Sequence, residues 1–540
     1  MSRLAPPASE EPSAYAGGAR DCTKSLLACI VLVRLAVSRS RVLPILPMRP
    51  GAFVKSLAPY AFDQPEESCL AHPTRCISES AEQAVRYVHR QRGESRVLGR
   101  ALRDSVPFDA HAAWQPENGR PDAVARVLAN NAGRQERLIP LRMSRMAASP
   151  FAFLRGAASV MAWDLAHTPS IGHHVMIDGD AHLNNFGLFR TPRQDVVFDL
   201  NDFDETLVAP WEWDLKRLTA SINVAARENG VDAAGRERAV RSACTAYRTT
   251  MSTLAQIPAY DLWQMRSYAS VLHIEAPVTL DSAEKATIAK AVERSTKRSH
   301  ATMLARVAEP DGKSWRFRDE PPILTRLDAA QKNHVIEGLR GYLQTIAGEW
   351  RTMLERYDVV DVAHRVVGVG SVGTRAYLLL LLGRAHADPL FMQVKEGIVP
   401  AAAPFVPALA EPFSHQGRRV VHGQRLLQSS SDPLLGWTTI SGRDFYVRQM
   451  KNIRGSIPVD WLHGATFDFY AWCLGLLLAR AHARTGDAAL IAGYCGNSDR
   501  LDAGYARWAE SYGAQTVADH AAFVQAIAQG RVIASPPEKA

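Results

Sequence analysis

The run Ile177-Asp178-Gly179-Asp180-Ala181-His182-Leu183-Asn184-Asn185-Phe186-Gly187 gathers carboxylate, amide and imidazole side chains between apolar stretches. A second acidic run follows, Val196-Val197-Phe198-Asp199-Leu200-Asn201-Asp202-Phe203-Asp204-Glu205. Asp180 and Asn185 stand five residues apart on a stretch that reads as a loop between strands, so both side chains can be aimed at one point. There Asp180 would accept a proton from a hydroxyl. Asn185 would offer its amide oxygen to Mg²⁺, a hard cation that prefers oxygen ligands. Asp199 or Asp202 would bridge that metal to phosphate oxygens, with Asp204 as a second ligand. Asp199 directly follows an apolar strand, whereas Asp202 has Pro210 and Asp214 downstream, where the later aspartate would buttress the loop. His182 reads as a loop-stabilising residue. The bland alternative is a pair of Asx-rich turns bonded to their own backbone.

A second constellation lies far downstream. Gly368-x-Gly370-x-x-Gly373 sits between apolar runs, and Lys395 follows Phe391-Met392-Gln393-Val394 on an expected strand. A glycine-rich hairpin followed by a strand lysine can hold nucleotide phosphates. The same residues also suit a structural turn plus a surface lysine. No acidic partner for Lys395 is evident: Glu396 is adjacent and so points to the other strand face, and Glu411 lies in a Pro/Ala-rich stretch. Arg155, in Phe151-x-Phe153-x-Arg155-Gly156, could reach the acidic cluster or a phosphate. Arg425, in His422-Gly423-Gln424-Arg425, and Arg448 could contact phosphate, although ion-paired or surface arginine is the commoner role.

The elements that would position these groups follow from periodicity and punctuation. Ser149-Pro150 opens an expected helix over 151–167. A short strand runs into Asp180, strands cover 186–189 and 196–200, and 191–194 is the turn between them. A helix over 211–229 ends at Gly230, and 231–350 read as mostly helical. From Val366 the chain becomes β-rich, with a loop at 399–413 and a strand at 445–450. A long apolar helix covers 467–484, with a last amphipathic helical region at 501–530.

With 540 residues the chain exceeds one compact core, so two lobes are expected. Hydrophobic content of 47% and charged content of 22% suit a soluble enzyme. The net charge of +8 is scattered without a long Lys/Arg run, so no nucleic-acid partner is expected. Seven cysteines, an odd count without Cys-x-x-Cys, read as reduced thiols in a cytoplasmic protein and argue against a zinc site. The apolar run 25–33 is closed by Arg34 and is too short to span a bilayer, so no stable membrane insertion is expected. Residues 1–50 read as a disordered leader or an over-extended start, and 531–540 as a disordered tail.

Taken together the motifs resemble a bacterial family catalogued as domain of unknown function 2252. The matching stretches are Arg145-Met146, Ser149-Pro150-Phe151, Arg155-Gly156, the loop 179–187, the segment 199–206 and Trp211-Glu212-Trp213-Asp214. Further matches are 366–375, Gln393-Val394-Lys395-Glu396, Gly423-Gln424-Arg425 and 479–487. More distantly, Asp180, Asn185, Asp199 or Asp202, and Asp214 are similar to the protein kinase-like superfamily that includes aminoglycoside and homoserine phosphotransferases. That resemblance implies an α/β (α+β), two-lobed kinase-like fold with large helical additions. Its order is circularly permuted, because the glycine loop and Lys395 follow the catalytic loop. A large helical lobe would span 51–355, a small β-rich lobe 356–455, and C-terminal helices 456–530 would pack on the large lobe. The implied function is transfer from ATP, with Mg²⁺, to a small molecule or a protein acceptor. Asp180 would be the base; Asn185, Asp199, Asp202 and Asp204 the metal ligands; Gly368, Gly370, Gly373 and Lys395 the nucleotide-binding residues. Arg155, His182, Asp214 and Arg425 would support them. Two alternatives stay open: a metal-dependent hydrolase using the Asp180, His182, Asp199 and Asp202 cluster, and a non-catalytic nucleotide-binding module.

Overall fold

A computed structural model describes residues 90–536 apart from 194, 268–277, 297–299, 367, 384–387, 407–412, 451–453 and 456. Residues 1–50, expected to be a leader or an over-extended start, and the end of the tail lie outside the described residues, as do Cys22, Cys29, Cys69 and Cys76. Cys244, Cys473 and Cys495 are buried free thiols.

Helix α1 (Ile139–Ala147) leads into α2 (Pro150–Gly156). Ser149 caps α2 by accepting the Ala152 N–H, and Pro150 starts it with a ring that suits the first helical position. The single helix expected over 151–167 is broken at Ala157, whose non-helical backbone separates α2 from α3 (Ala158–Ala166). Side chains replace the missing helical bonds. Arg142 Nη2 donates to the Gly156 carbonyl at 2.7 Å and Arg217 Nη2 to the Leu154 carbonyl at 2.8 Å.

Four short strands follow: β1 (His174–Ile177), β2 (Phe186–Arg190), β3 (Val196–Leu200) and β4 (Leu207–Pro210). β2 and β3 form an antiparallel hairpin, while β1 pairs antiparallel with β4. The loop 178–185 therefore joins β1 to β2 and the loop 201–206 joins β3 to β4. Two paired strand ends force these loops side by side. β4 continues directly into α4 (Trp211–Glu228), against which α5 (Ala233–Leu254) packs.

The region expected to be mostly helical up to residue 350 also holds β5 (Ala308–Asp311), β6 (Ser314–Phe317) and β7 (Leu324–Arg326). Then come α6 (Ala329–Leu343), α7 (Gly348–Leu354), β8 (Tyr357–Arg365), β9 (Ala376–Gly383) and β10 (Pro389–Glu396). After α8 (Gln416–Leu427) come β11 (Gly436–Ile440) and β12 (Arg443–Gln449). One antiparallel six-stranded sheet has the order β11-β12-β10-β9-β8-β7. Its faces separate by the two-residue period of strands. Leu379, Leu381, Met392, Val394 and Val447 pack on Val335, Tyr342 and Leu354 of α6 and α7, so these helices belong with the sheet. Leu378, Leu380, Leu382 and Phe391 face the other way, partly onto Leu304, Ala308 and Phe317. Burial on both faces explains the continuous apolar run of β9.

The pair β13 (Arg454–Gly455) returns the chain to β2, after which α9 (Gly464–Ala483) and α10 (Arg500–Ala528) complete the helical core. α9 lies so close to α5 that a Cβ on Gly475 would stand 2.0 Å from the Ala243 carbonyl oxygen. The fold is thus a mixed α+β architecture. Among the described residues no helix is long and apolar enough to cross a membrane.

Candidate functional site

The loops 178–185 and 201–206 meet the glycine turn of 368–374, which joins β8 to β9, at one cleft. Asp180, His182, Asn185, Asp202, Asp204, Arg155, Gly368 and Gly370 all line it. Asn130, Arg134, Glu205, Ser371 and Thr374 line it as well.

The acidic loop is held from beneath. Asp214, in the first turn of α4, accepts the N–H groups of Asp178 and Gly179 at 2.7 and 2.9 Å. His482 of α9 lies 3.1 Å from the same carboxylate and 2.9 Å from the Tyr247 hydroxyl. Gly179 has φ +78, and a Cβ there would lie 2.1 Å from the Glu205 carbonyl oxygen, so only glycine lets the two loops touch. Thr206 ties the loops from the other end by donating to the Ile177 carbonyl at 2.5 Å. Arg419 of α8 donates to the Asp204 and Ile398 carbonyls, each at 2.8 Å. Gly423 of the same helix sits on Thr206, where a Cβ would approach to 2.3 Å.

Arg217, one turn beyond Asp214 on α4, grips a single oxygen of Asp180, with Nε at 2.9 Å and Nη2 at 2.7 Å from Oδ1. The second oxygen, Oδ2, is 3.7 Å from His182 Nε2. Burial pushes the Asp180 carboxyl up to about 7, against the opposing pull of Arg217. His182 is neutral: burial and then Arg155 and Arg217 hold its pKa well below the usual imidazole value. Its Nδ1 accepts the Asn184 N–H at 3.2 Å, which leaves the ring hydrogen on Nε2, toward Asp180. Asn185 Nδ2 donates to the Asp180 carbonyl at 2.7 Å, a network that assigns its Oδ1 as the outward acceptor. Asp178 is fully buried, and burial followed by Asp214, Asp180 and Asp202 pushes its carboxyl well above the usual range. The nearby Asn185 amide offsets this only in part, and neither Asp178 oxygen has a hydrogen-bond partner among the described residues.

Lys395 does have acidic partners. On β10 it shares a face with Phe391 and Gln393 and pairs in register with Tyr446 of β12. That face turns toward the acidic loops. Lys395 Nζ bonds Asp204 Oδ2 and lies 3.7 Å from Asp202 Oδ1, while the Tyr446 hydroxyl donates to Asp204 Oδ1 at 2.8 Å. Burial disfavours the ammonium, yet Asp202 and Asp204 hold its pKa above the usual lysine value. Glu396 faces away, taking the Arg375 N–H at 2.9 Å and Arg443 at 2.9 Å.

The glycine turn is fastened by its carbonyls. Arg145 donates to Gly368 O at 2.8 Å, Arg134 to Val372 O at 2.7 Å, and the Gln135 N–H to Gly373 O at 2.8 Å. Gly373 has φ +93 and rests on the Arg134 side chain, at the far end of the turn from Gly368 and Gly370.

Besides Gly373, two expected residues lie away from the cleft. Asp199 is fully buried beneath the cleft, where Arg480 Nη2 binds its Oδ1 at 2.7 Å and the Ser429 N–H its Oδ2 at 2.8 Å. Strand alternation turns it away from the loop that begins at Asn201, so it does not line the cleft. Arg425 donates to the Leu435 carbonyl at 2.7 Å and serves the packing of α8 on β11. Sequence reasoning missed Arg217, Arg134, Glu205 and Tyr446. Only Arg217 carried a signal, since Asp214-x-x-Arg217 places two opposite charges on one helix face.

The donors fit Mg²⁺. Among the described residues no three His, Cys, Asp or Glu side chains form a metal group by themselves. Mg²⁺ seldom uses an all-protein cage and keeps positions for water and substrate phosphate. The Asn185 oxygen and the partly exposed Asp202 carboxylate suit that demand, whereas both Asp204 oxygens are engaged by Lys395 and Tyr446.

Residues 134–526 match the sequence model of a family described as an uncharacterized protein conserved in bacteria (DUF2252). No curated protein and no solved structure matches the chain.

Proposed function

We propose that this chain, which belongs to the bacterial family DUF2252, is a kinase-like phosphotransferase that uses ATP and Mg²⁺. One observation carries the reading: the acidic loops and the glycine turn line a single cleft, and the lysine of the adjoining strand is tied to the second acidic loop. Helical and sheet portions then play the parts of two kinase lobes, in permuted order.

In this reading Asp180 is the base. Arg217 occupies its Oδ1, fixing the carboxylate so that Oδ2 faces the cleft and takes the acceptor hydroxyl proton. A carboxyl raised to about 7 is matched to proton transfer near neutral pH. His182 stays neutral and orients the loop rather than titrating. Asn185 and Asp202 would hold Mg²⁺, and Asp204 ties Lys395 beside them. When bound, Mg²⁺ supplies charge neutralisation across the phosphates. Gly368 and Gly370 let the turn approach the phosphates closely.

The test is thermal unfolding with Mg²⁺ alone, ATP alone and both, repeated for Asp202→Ala and Lys395→Ala. A ligand that binds only the folded state stabilises it by about 2.7 kcal/mol at a hundredfold excess over Kd. A shift that requires Mg²⁺ and ATP together, and is lost in both variants, is the expected result. A shift with metal alone would favour the hydrolase reading, and no shift at all would sink nucleotide binding.

A further inference from the structure

Resting on that reading, we propose that Arg155 is a catalytic residue that contacts the phosphoryl group during transfer, from the helical side of the cleft. The observation is an unmet guanidinium. Arg155 lines the cleft, yet it donates no hydrogen bond to any described residue, and its Nε is buried without a partner. Its guanidinium carbon lies 6.0 Å from the centre of the Phe151 ring. Guanidinium groups so placed nearly always bind carboxylates, carbonyls or phosphates, because five fixed N–H donors are costly to leave unsatisfied.

The other arginines around the cleft are engaged. Arg217 is bound to Asp180 and the Leu154 carbonyl. Arg134 is bound to the Val372 and Asn130 carbonyls. Arg419 is bound to the Asp204 and Ile398 carbonyls. Arg155 alone among these four makes no such bond: burial disfavours its charge, and the carboxylates of Asp180 and Asp202, which line the same cleft, offset this only in part. Those are the proposed base and the proposed metal ligand. All three residues line one cleft, so a phosphoryl group passing between an acceptor on Asp180 and a metal that Asp202 would hold would be met there by the guanidinium.

The backbone that carries Arg155 is fixed. The Phe151 N–H donates to Glu228, and Arg217 and Arg142 hold the Leu154 and Gly156 carbonyls. A Cβ on Gly370 would lie 3.1 Å from the Arg155 carbonyl oxygen, so the glycine turn rests on this helix. The chemistry of the surroundings selects the ligand class. An acceptor carboxylate arriving alone would meet Asp180, Asp202, Asp204 and Glu205. A phosphoryl group arrives with Mg²⁺ and has that repulsion already balanced.

In the step, a bond forms between the acceptor oxygen and the γ-phosphorus. The bond from that phosphorus to the oxygen bridging the β-phosphate breaks, and its electron pair leaves with ADP. The hydroxyl proton passes to Asp180. Negative charge spreads over the three equatorial oxygens in flight, which a planar guanidinium stabilises more than it stabilises bound ATP.

The experiment is calorimetry on the full chain with Mg·ATP and with Mg·ADP plus fluoroaluminate, a mimic of the phosphoryl group in flight. Wild type, Arg155→Ala and Arg155→Lys are compared. Removing one transition-state donor should weaken the fluoroaluminate complex by about a hundredfold or more and change Mg·ATP affinity by less than about threefold. Arg155→Lys keeps the charge but not the fork, so it should recover only part of the loss. It also serves as the comparison should Arg155→Ala lower the unliganded unfolding midpoint. Equal trapping by wild type and both variants would overturn the role of Arg155 while leaving the functional reading standing. Failure of the wild type to bind Mg·ATP would overturn the functional reading and this inference with it.

Discussion

At the scale of single residues, the chemistry turns on how two charges are divided. Asp180 sits where burial favours the neutral acid and Arg217 favours the anion, and the balance leaves its carboxyl at about 7. A base must be deprotonated to act, so kcat/KM should rise with pH through about 7 and level off above it. Arg217→Gln removes the cation that lowers this value, so the rising limb should move to higher pH. A pH–rate profile of the two proteins checks this, and an unmoved limb would assign the titration to another group. Lys395 shows the opposite arrangement: Asp202 and Asp204 hold it charged despite burial, which keeps it available to phosphate at any ordinary pH.

At the scale of elements, the site depends on which strands pair. Because β1 pairs with β4 while β2 pairs with β3, two loops separated in sequence by the β2–β3 hairpin become neighbours. Asp214, His482 and Arg419 then lock them from α4, α9 and α8. Asp199 belongs to this framework: it joins β3 to α9 through Arg480, whose Nε and Nη1 have no other acceptor among the described residues. Removing one member of a buried ion pair leaves the other uncompensated and typically costs about 3–5 kcal/mol. Asp199→Asn should therefore lower the unfolding free energy obtained from urea titration by that amount while the Mg·ATP affinity of the folded fraction stays near that of wild type. A metal ligand would show the reverse, with lost Mg·ATP affinity at nearly unchanged stability.

At the scale of the whole molecule, the sheet and the helical core are built on separate apolar clusters, yet the chain crosses between them repeatedly. The acidic loops precede the sheet, and α9 and α10 return to the helical core after it. Leu474, Leu477 and Leu478 of α9 are fully buried in that core, alongside α5. A chain truncated before Gly464 would leave the apolar face of α5 and the loop-bracing side of α4 uncovered. Such a truncation should show no cooperative thermal transition by circular dichroism. A sharp melt would mean that the first helical segments and the sheet fold without the C-terminal return.

The sequence by itself determined the local chemistry: the Asp180–Asn185 spacing, the strands flanking it, α4 with Asp214 in its first turn, and the strand carrying Lys395. These follow from periods of two and 3.6 residues and from turn punctuation, which act over a few residues. It also placed Glu396 on the face away from Lys395, since alternation needs no knowledge of the partner strand. It could not choose between Asp199 and Asp202, because both lie near a strand end and only the position of Arg480, from a helix far along the chain, shows which one is buried. It missed the acids that partner Lys395, and with them Tyr446, because sheet register and lobe contact bring them together. The break of the expected 151–167 helix has the same origin, two arginines from other segments taking its carbonyls. Contacts between residues distant in sequence carry no periodic signature, so only the tertiary structure decided which of the chemically able residues share one cleft.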